Sequence, residues 1–188
     1  MEKFIKLIKD KLGDKVTLVF DKKYLSDYVG AIQGKADVLV KAETTDDVAA
    51  ALKLAYENDI NIVIRGAGTN LVASTVPEGG LVLDVSNLKE IGQIDEFNQS
   101  IEVGCGVKLC DLQNFVESKG WFYPPDPAEK EATIVGNIST NAGGMRAVKY
   151  GVTRDYVREL EFVTPQGNVL KLGADTIKDS SGLNLKHL

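Results

Sequence analysis

Residues 62–71 read Ile-Val-Ile-Arg-Gly-Ala-Gly-Thr-Asn-Leu, and this stretch decides the fold that the sequence predicts. Its first three residues are β-branched and apolar, a pattern typical of a buried strand. Arg65 stands where this strand ends, and the following loop contains two glycines, an alanine, a hydroxyl and an amide. The change from β-branched to small residues predicts a strand that leads into a tight loop.

The composition of this loop suits a ligand that carries phosphate. Small side chains leave backbone N–H groups accessible, and consecutive N–H groups form a concave site for anions. The guanidinium of Arg65 and the hydroxyl of Thr69 would add charge-assisted contacts. A Gly-x-Gly sequence after a strand also occurs in ordinary tight turns, so the loop alone leaves both interpretations open.

The sequence on both sides of the loop predicts parallel strands. A strand is expected at residues 37–40, and Thr44 or Thr45 caps the next helix, whose first turn holds two aspartates. The helix leads to a strand at residues 60–64, which completes a right-handed βαβ unit, and residues 81–85 supply a third strand. The glycine loop therefore follows the carboxyl end of a parallel strand, where open α/β sheets bind ligands.

The second half of the chain indicates antiparallel structure. Short strands are predicted at residues 92–95 and 100–104, and a helix at residues 108–119 that ends at Gly120. A hairpin is predicted from residue 159 to residue 172 around Pro165-Gln166-Gly167, residues that suit a type I turn with a bulge.

The predicted fold class is therefore α+β. Residues 36–88 would form a small parallel βαβ lobe, and residues 89–188 a mixed or antiparallel lobe with helices. Residues 1–35 would form an N-terminal helix and arm, in which residues 3–12 make an amphipathic helix that ends at Gly13.

Length and charge exclude several classes of protein. The 188 residues are 44% apolar, enough for a real core, and no window is apolar enough for a membrane span. The start of the chain lacks the features of a secretory signal, so a cytoplasmic location is expected. The net charge is −5, with nine Lys against six Asp and Glu in residues 1–41. An acidic body argues against nucleic-acid binding, and the basic arm is either a solvated helix face or a docking surface for an acidic partner.

Cysteine and histidine are too few for several kinds of chemistry. Cys105 and Cys110 match no common zinc spacing and are interpreted as packing residues, so neither a metal site nor a disulfide is predicted. The only histidine is His187, so a His-based catalytic triad within this chain is not expected.

Residues 121–151 contain a second unusual stretch. Tyr123–Pro127 is rich in proline and would form a stiff, extended wall. Residues 133–144 read Thr-Ile-Val-Gly-Asn-Ile-Ser-Thr-Asn-Ala-Gly-Gly, which favours a short helix or turn against a buried ligand. Asn137 and Asn141 offer donors and acceptors there. A glycine-rich connection that packs two sheets would have a similar composition, and this alternative stays open.

Taken together, six motifs resemble the FAD-binding domain of the vanillyl-alcohol-oxidase superfamily, which has a PCMH-type fold. The most similar branch is that of the D-lactate dehydrogenases and glycolate-oxidase D subunits. The motifs occur in the same order and cover roughly residues 36–188: Arg65–Leu71, Pro124–Pro127, Thr133–Asn137, Asn141–Gly144, Lys149–Val152 and Lys178–Leu183.

The resemblance implies FAD as the cofactor, held between two lobes. The loop would contact the pyrophosphate, and the later motifs would line the rest of the cofactor. The implied cofactor-binding residues are Arg65, Gly66, Ala67, Gly68, Thr69, Asn70, Leu71, Pro125, Asp126, Thr133, Gly136, Asn137, Asn141, Ala142, Gly143, Gly144, Tyr150, Gly151 and Val152.

This chain departs from the family pattern at three places. Ala73-Ser74 stands where relatives often have glycines, and since alanine disfavours positive φ, this end of the loop is expected to differ in shape. Cys105 replaces a common proline. The sequence ends before a further cofactor-contact segment, a substrate-binding cap domain and a His-rich segment, so we expect it to be the N-terminal part of a longer protein.

The resemblance also implies an activity. The relatives oxidise small 2-hydroxy acids such as D-lactate or glycolate, with hydride transfer from substrate C2 to flavin N5. Electrons would then pass to an electron-transfer flavoprotein, an iron–sulfur subunit or a quinone. No catalytic base is identified here. Arg146, Lys149 and Arg154 could stabilise a reduced flavin or simply be solvated. A flavin-binding or electron-relay module without substrate chemistry, or another flavoenzyme of the superfamily, is the alternative.

Overall fold

The computed structural model describes residues 1–18, 20–176, 180 and 182–187. The chain divides into two compact units. The first contains Met1–Leu88 together with Val163–Val169, and the second contains Lys89–Phe162 and Leu170–Leu188.

A four-stranded sheet forms the centre of the first unit. Its strands are β1 (Val16–Thr17), β2 (Val38–Lys41), β3 (Ile62–Arg65) and β4 (Leu81–Asp84). The order is β1-β2-β4-β3, so β4 lies between the two strands that precede it in sequence. β4 is parallel to β2 and to β3, whereas β1 is antiparallel to β2. The predicted parallel βαβ unit is confirmed, and β1 makes the sheet mixed.

Two helices contribute to the core of the first unit. Helix α1 (Glu2–Leu12) buries Phe4, Ile8 and Leu12 and ends at Gly13, whose φ is 57°. Helix α2 (Thr45–Glu57) contacts α1 and connects β2 to β3. The residues of β2 from Val38 to Val40 and of β4 from Leu81 to Leu83 are at most 1% exposed, because helices and the neighbouring strands cover them.

The N-terminus of α2 carries a reciprocal cap. The hydroxyl of Thr44 accepts a hydrogen bond from the backbone N–H of Asp47 at 3.2 Å. The carboxylate of Asp47 accepts in return from the backbone N–H of Thr44 at 3.0 Å and from Lys15 Nζ at 2.6 Å. This arrangement satisfies two helix-terminal donors and fixes the entry of the chain into the helix.

The second unit has a separate core. Strands β5 (Ile91–Asp95) and β6 (Ser100–Val103) pair in antiparallel fashion. Helix α3 (Leu109–Ser118) buries Leu109, Leu112 and Val116 against Val107 and Ile134. Helices α4 (Ile134–Ser139) and α5 (Ala147–Tyr150) follow, within the unusual stretch at residues 121–151.

A hairpin follows α5 in the second half of the chain. Strands β7 (Glu159–Val163) and β8 (Val169–Gly173) form a two-stranded sheet. At its turn, the N–H of Gly167 donates to the carbonyl of Thr164 at 2.8 Å, and Gly167 has a φ of 81°. The predicted hairpin is confirmed, and the positive φ explains the glycine.

The observed elements confirm the predicted α+β class, and their ends differ from the predicted ends by at most two residues. The predicted boundaries at residues 35 and 88 stay predictions, and the structure groups residues 1–35 with the first unit.

We expect removal of the Asp47 carboxylate to destabilise the first unit. Hydrogen bonds from Lys15 and from the backbone N–H of Glu43 lower the pKa of Asp47 from 3.8, although burial opposes them. Because the pKa of Asp47 is lower in the folded than in the unfolded protein, its ionised carboxylate stabilises the folded state above pH 3.8. This stabilisation is lost as the pH falls through the pKa of the folded state. Asp47→Ala should cost about 1–2 kcal/mol at pH 7 in urea unfolding, through the lost cap.

Asp46→Ala is the matched control, because Asp46 is exposed in the same helical turn. The stability difference between wild type and Asp47→Ala should shrink below pH 3.8. A difference that does not change with pH would contradict this account.

Candidate functional site

The glycine loop, residues 66–71, lies over the buried side chain of Arg65. Arg65 is 6% exposed, and its Nη1 donates to the carbonyl of Ser26 at 2.7 Å and to Thr75 Oγ1 at 3.2 Å. Gly68 has a φ of 73°, and a Cβ there would collide with the guanidinium. The loop thus requires glycine at this position for two reasons, the backbone conformation and the closeness of Arg65.

The guanidinium of Arg65 is buried beneath the loop, where Nη1 donates to a carbonyl and a hydroxyl oxygen. Burial lowers the pKa of Arg65, and the nearby carboxylate of Asp84 opposes that shift. Arg65 therefore supports the loop as a buried cation. The predicted contact between its guanidinium and a phosphate stays a prediction.

The backbone of the glycine loop leaves its donors free. Within the described part of the chain, the N–H groups of residues 66–71 donate to no protein acceptor. The loop is instead held by the side chain of Asn70, whose Nδ2 donates to Thr75 Oγ1 at 2.6 Å. Its Oδ1 accepts from the N–H groups of Val72 and Ser74. A run of unsatisfied N–H groups on a fixed loop is a site for an anion.

The backbone at Ala73 differs from what its residue type predicts. Its φ is 58°, in the left-handed region that alanine is expected to avoid. Its N–H donates to the carboxylate of Asp27 at 3.0 Å, which offsets part of the conformational cost. The loop end therefore adopts a glycine-like conformation despite its methyl group.

In the second unit, two predicted residues lie beside α4 with unused polar groups. Thr133 is 3% exposed and precedes the helix, and Asn137 is 4% exposed within it. Among the described residues, neither the Thr133 hydroxyl nor the Asn137 side-chain amide has a hydrogen-bond partner. In the described part of the chain, every side-chain N or O atom that is shut off from solvent has a hydrogen-bond partner. Because the Thr133 hydroxyl and the Asn137 amide have no such partner, they are in contact with solvent, where a ligand can reach them.

The turn at residues 141–144 is fixed by contacts within the second unit. Asn141 has a φ of 48°, and its Oδ1 accepts from the N–H of Arg154 at 3.0 Å. The carbonyl of Ala142 accepts from both the N–H and the hydroxyl of Thr153, which is 1% exposed. Gly144 has a φ of 141°, and a Cβ there would collide with the backbone of Asp126. The turn thus lies directly against the proline-rich segment.

Asp126 is an internal anchor. Its side chain is 7% exposed and pairs with Arg146 Nε at 3.1 Å and with Lys130 Nζ. The guanidinium of Arg146 also lies over the ring of Phe122, 5.5 Å from its centroid. The carboxylate therefore holds the chain on both sides of the turn.

Tyr150, Gly151 and Val152 form the last predicted group. The carbonyl of Tyr150 accepts from the hydroxyl of Tyr156 at 2.6 Å. Gly151 has a φ of 86°, and a Cβ there would collide with the carboxylate of Asp155, which accepts from the N–H of Val152 at 2.7 Å. These contacts fix the backbone between α5 and the following 3₁₀ turn.

The structure brings the predicted residues of the second unit together and places the glycine loop in the first unit. Three groups of predicted residues lie in the second unit. The first group lies directly before α4, on it or in the following turn, and consists of Thr133, Gly136, Asn137, Asn141, Ala142, Gly143 and Gly144. The second group lies near this turn and consists of Pro125 and Asp126, and the third lies at the end of α5 and directly after it and consists of Tyr150, Gly151 and Val152. The motif at 178–183 lies largely outside the described residues. The individual cofactor contacts stay predictions.

Sequence reasoning missed Thr153, Thr75 and Tyr24. Thr153 fixes Ala142, and Thr75 joins Arg65 to Asn70. Tyr24 donates to Asp84 Oδ2 at 2.9 Å, and burial is the main cause that raises its pKa to about 12. Of these three residues, only Thr153 could have been found from the sequence, because it directly follows the Lys149–Val152 motif.

Groups for acid–base or metal chemistry are scarce in the described part of the chain. It contains no cluster of three or more His, Cys, Asp or Glu that could hold a metal ion. Burial raises the pKa of the Cys105 thiol to about 11, so this thiol is protonated near neutral pH. The described helices include none that is both apolar and long enough to cross a membrane.

Comparison with known proteins identifies similar sequences. Residues 36–173 match the model of the family "FAD binding domain". The chain is 48% identical over 161 residues to D-lactate dehydrogenase of Anaerostipes hadrus, an alignment that covers 84% of this chain and 34% of that protein. It is 44% identical over 167 residues to glycolate oxidase subunit GlcD of Bacillus subtilis (strain 168), with 88% and 36% coverage.

A solved structure shares the fold. The VAO-type flavoprotein MtVAO615 from Myceliophthora thermophila C1 superposes with a TM-score of 0.74 at 17% identity, covering 91% of this chain and 41% of that one. At this identity the likeness concerns the fold, and it confirms the predicted fold class. The chain spans about a third of the length of the curated relatives it matches.

We expect Gly68→Ala to destabilise the protein more than Gly13→Ala. Both glycines have positive φ, but nothing lies within 4 Å of a Cβ at Gly13, whereas a Cβ at Gly68 meets the buried guanidinium of Arg65. Displacing Arg65 would break its bonds to Ser26 and Thr75 and should cost about 1–3 kcal/mol beyond the φ strain, measured by urea unfolding. Equal losses for the two variants would contradict the packing of Arg65 beneath the loop.

Proposed function

We propose, because this chain belongs to the family of FAD binding domains, that it holds FAD in a flavin-dependent 2-hydroxy-acid dehydrogenase of the D-lactate or glycolate type. The family match covers residues 36–173, which is most of the chain. The names of its relatives support the substrate class, since they include D-lactate dehydrogenase and a glycolate oxidase subunit. The activity belongs to the whole protein, of which this chain supplies the cofactor-binding part.

The observation that carries this proposal is the set of unused polar groups. The free N–H groups of residues 66–71 would hold the pyrophosphate, and the supporting cation Arg65 adds positive potential beneath them. The Asn137 amide and the Thr133 hydroxyl, both without partners among the described residues, would donate to or accept from another part of the cofactor. The residues present therefore fit FAD.

The chemistry is divided between cofactor and protein. Bound FAD supplies an acceptor for the hydride that leaves the hydroxyl-bearing carbon of the substrate. The residues of this chain bind and orient the cofactor, and their small side chains let the backbone approach it. No base for the hydroxyl proton is assigned to the described residues, so we place the base and the substrate contacts elsewhere in the protein.

The proposed partners follow from the reaction. An electron-transfer flavoprotein or an iron–sulfur subunit would accept the electrons. The Bacillus subtilis relative is named a glycolate oxidase subunit, which supports an assembly of this kind. We propose a cytoplasmic location, supported by the acidic composition of the chain.

A second candidate function is a flavin-binding or electron-relay module without substrate chemistry. The two functions differ in their response to substrate, because only the dehydrogenase would be reduced by a 2-hydroxy acid.

We expect the purified whole protein that contains this chain to be yellow and to lose this colour under anaerobic conditions when D-lactate or glycolate is added. Absorbance near the flavin band reports both states. Gly68→Trp should be colourless, because an indole cannot fit beside Arg65 at a φ of 73°. A colourless wild type that takes up no added FAD would refute the cofactor proposal, and a yellow protein that no 2-hydroxy acid bleaches would favour the module.

We expect Asn137→Leu to weaken FAD binding about tenfold while the stability of the FAD-free protein changes little. Leucine matches the size of asparagine but cannot pair with the cofactor, and no protein hydrogen bond of the side chain is lost. Ser139→Ala, at an exposed position of the same helix, is the control. Flavin fluorescence titration measures both affinities, and equal affinities would refute the assigned contact.

A further inference from the structure

The segment Tyr24–Tyr28 lies outside the family match, which begins at residue 36, yet it contacts the glycine loop region repeatedly. The carbonyl of Ser26 accepts from Arg65 Nη1 at 2.7 Å, and the N–H of Tyr28 donates to the carbonyl of Asn70 at 3.2 Å. The carboxylate of Asp27 accepts from the N–H of Ala73 at 3.0 Å. Three consecutive residues thus hold the beginning, middle and end of residues 65–73.

Tyr24 connects the same segment to the sheet. Its hydroxyl donates to Asp84 Oδ2 at 2.9 Å, and the guanidinium of Arg65 lies 5.9 Å from the centroid of its ring. Tyr24 and Asp84 are both less than 10% exposed. The segment is therefore anchored in the core of the first unit through Tyr24 and reaches the loop through its next residues.

We propose that residues 24–28 act as a loop clasp, a set of positioning residues that holds residues 65–73 with the free N–H groups of the glycine loop ready for the cofactor. This inference rests on the proposed function, because the ligand that the clasp serves is the pyrophosphate of FAD. The clasp extends the cofactor site to a part of the chain that carries no cofactor motif.

Two features of the loop require such support. Ala73 has a φ of 58°, a conformation that costs an alanine roughly 1–2 kcal/mol, and the bond to Asp27 holds it there. The glycine loop has few bonds of its own, since its N–H groups are free within the described residues. A loop that is in the binding conformation for only a fraction of the time has an apparent Kd raised by the inverse of that fraction.

Asp27 offers the sharpest test, and Asp21 is its matched control. Both carboxylates lie in the N-terminal segment and both cap a nearby backbone N–H, that of Gly30 for Asp27 and that of Lys23 for Asp21. Only Asp27 also reaches Ala73. Comparing Asp27→Ala with Asp21→Ala therefore separates the clasp from the loss of a local cap.

The first measurement is hydrogen exchange of the full chain without FAD. Asp27→Ala should raise the exchange rates of the Val72 and Ser74 amides, which donate to Asn70 Oδ1, about tenfold. Exchange in α2 should stay as in wild type and so report an intact fold. Asp27→Asn keeps one acceptor oxygen and should give a smaller increase, and Asp21→Ala should match wild type. Unchanged exchange of the Val72 and Ser74 amides in Asp27→Ala would overturn the inference.

The second measurement is the affinity for FAD by fluorescence titration. Asp27→Ala should bind FAD about tenfold more weakly than wild type, Asp27→Asn should lie between them, and Asp21→Ala should bind as wild type does. If wild type binds FAD and Asp27→Ala binds it with the same affinity, the inference about the loop clasp is refuted and the proposed function stands. Wild type that takes up no FAD would refute the proposed function, and the inference with it.

Discussion

The burial of one guanidinium under a loop of small residues is the constraint on which the first unit depends. Arg65 ends β3, and its side chain occupies the space that a side chain at position 68 would otherwise fill. Burying a cation is costly, and the two hydrogen bonds from Nη1 to a backbone carbonyl and a hydroxyl offset part of that cost. Gly68, Thr75 and the segment before β2 are therefore constrained together, because a change in any of them disturbs the partners of Arg65.

The second unit achieves a similar result without a buried cation at its centre. Its turn at residues 141–144 is fixed by backbone carbonyls and by Thr153, and Asp126 joins two cations on the flanking segments. The protein has thus used its own polar groups to hold the backbone, while the amide of Asn137 and the hydroxyl of Thr133 have no partner among the described residues. This division between groups that fix the site and groups that face the ligand is the strongest structural support for cofactor binding.

Much of this could be predicted from the sequence. The strand before the glycine loop, the cap at Thr44 and the turn at Gly167 each follow from local patterns of a few residues, and the structure confirms them. The burial of Arg65 could not be predicted, because its partner is the carbonyl of Ser26, 39 positions earlier in the chain, and every residue has such a carbonyl. The φ of Ala73 depends in the same way on a distant carboxylate.

The strand order of the first unit also has a consequence for synthesis of the chain on the ribosome. β4 lies between β2 and β3, so neither of those two can gain its parallel neighbour until residue 84 has left the exit tunnel. The tip of the hairpin, Val163–Val169, belongs to the same unit although some 75 residues of the second unit separate it from Leu88. The nascent first unit therefore gains its last contacts only after most of the second unit has been translated.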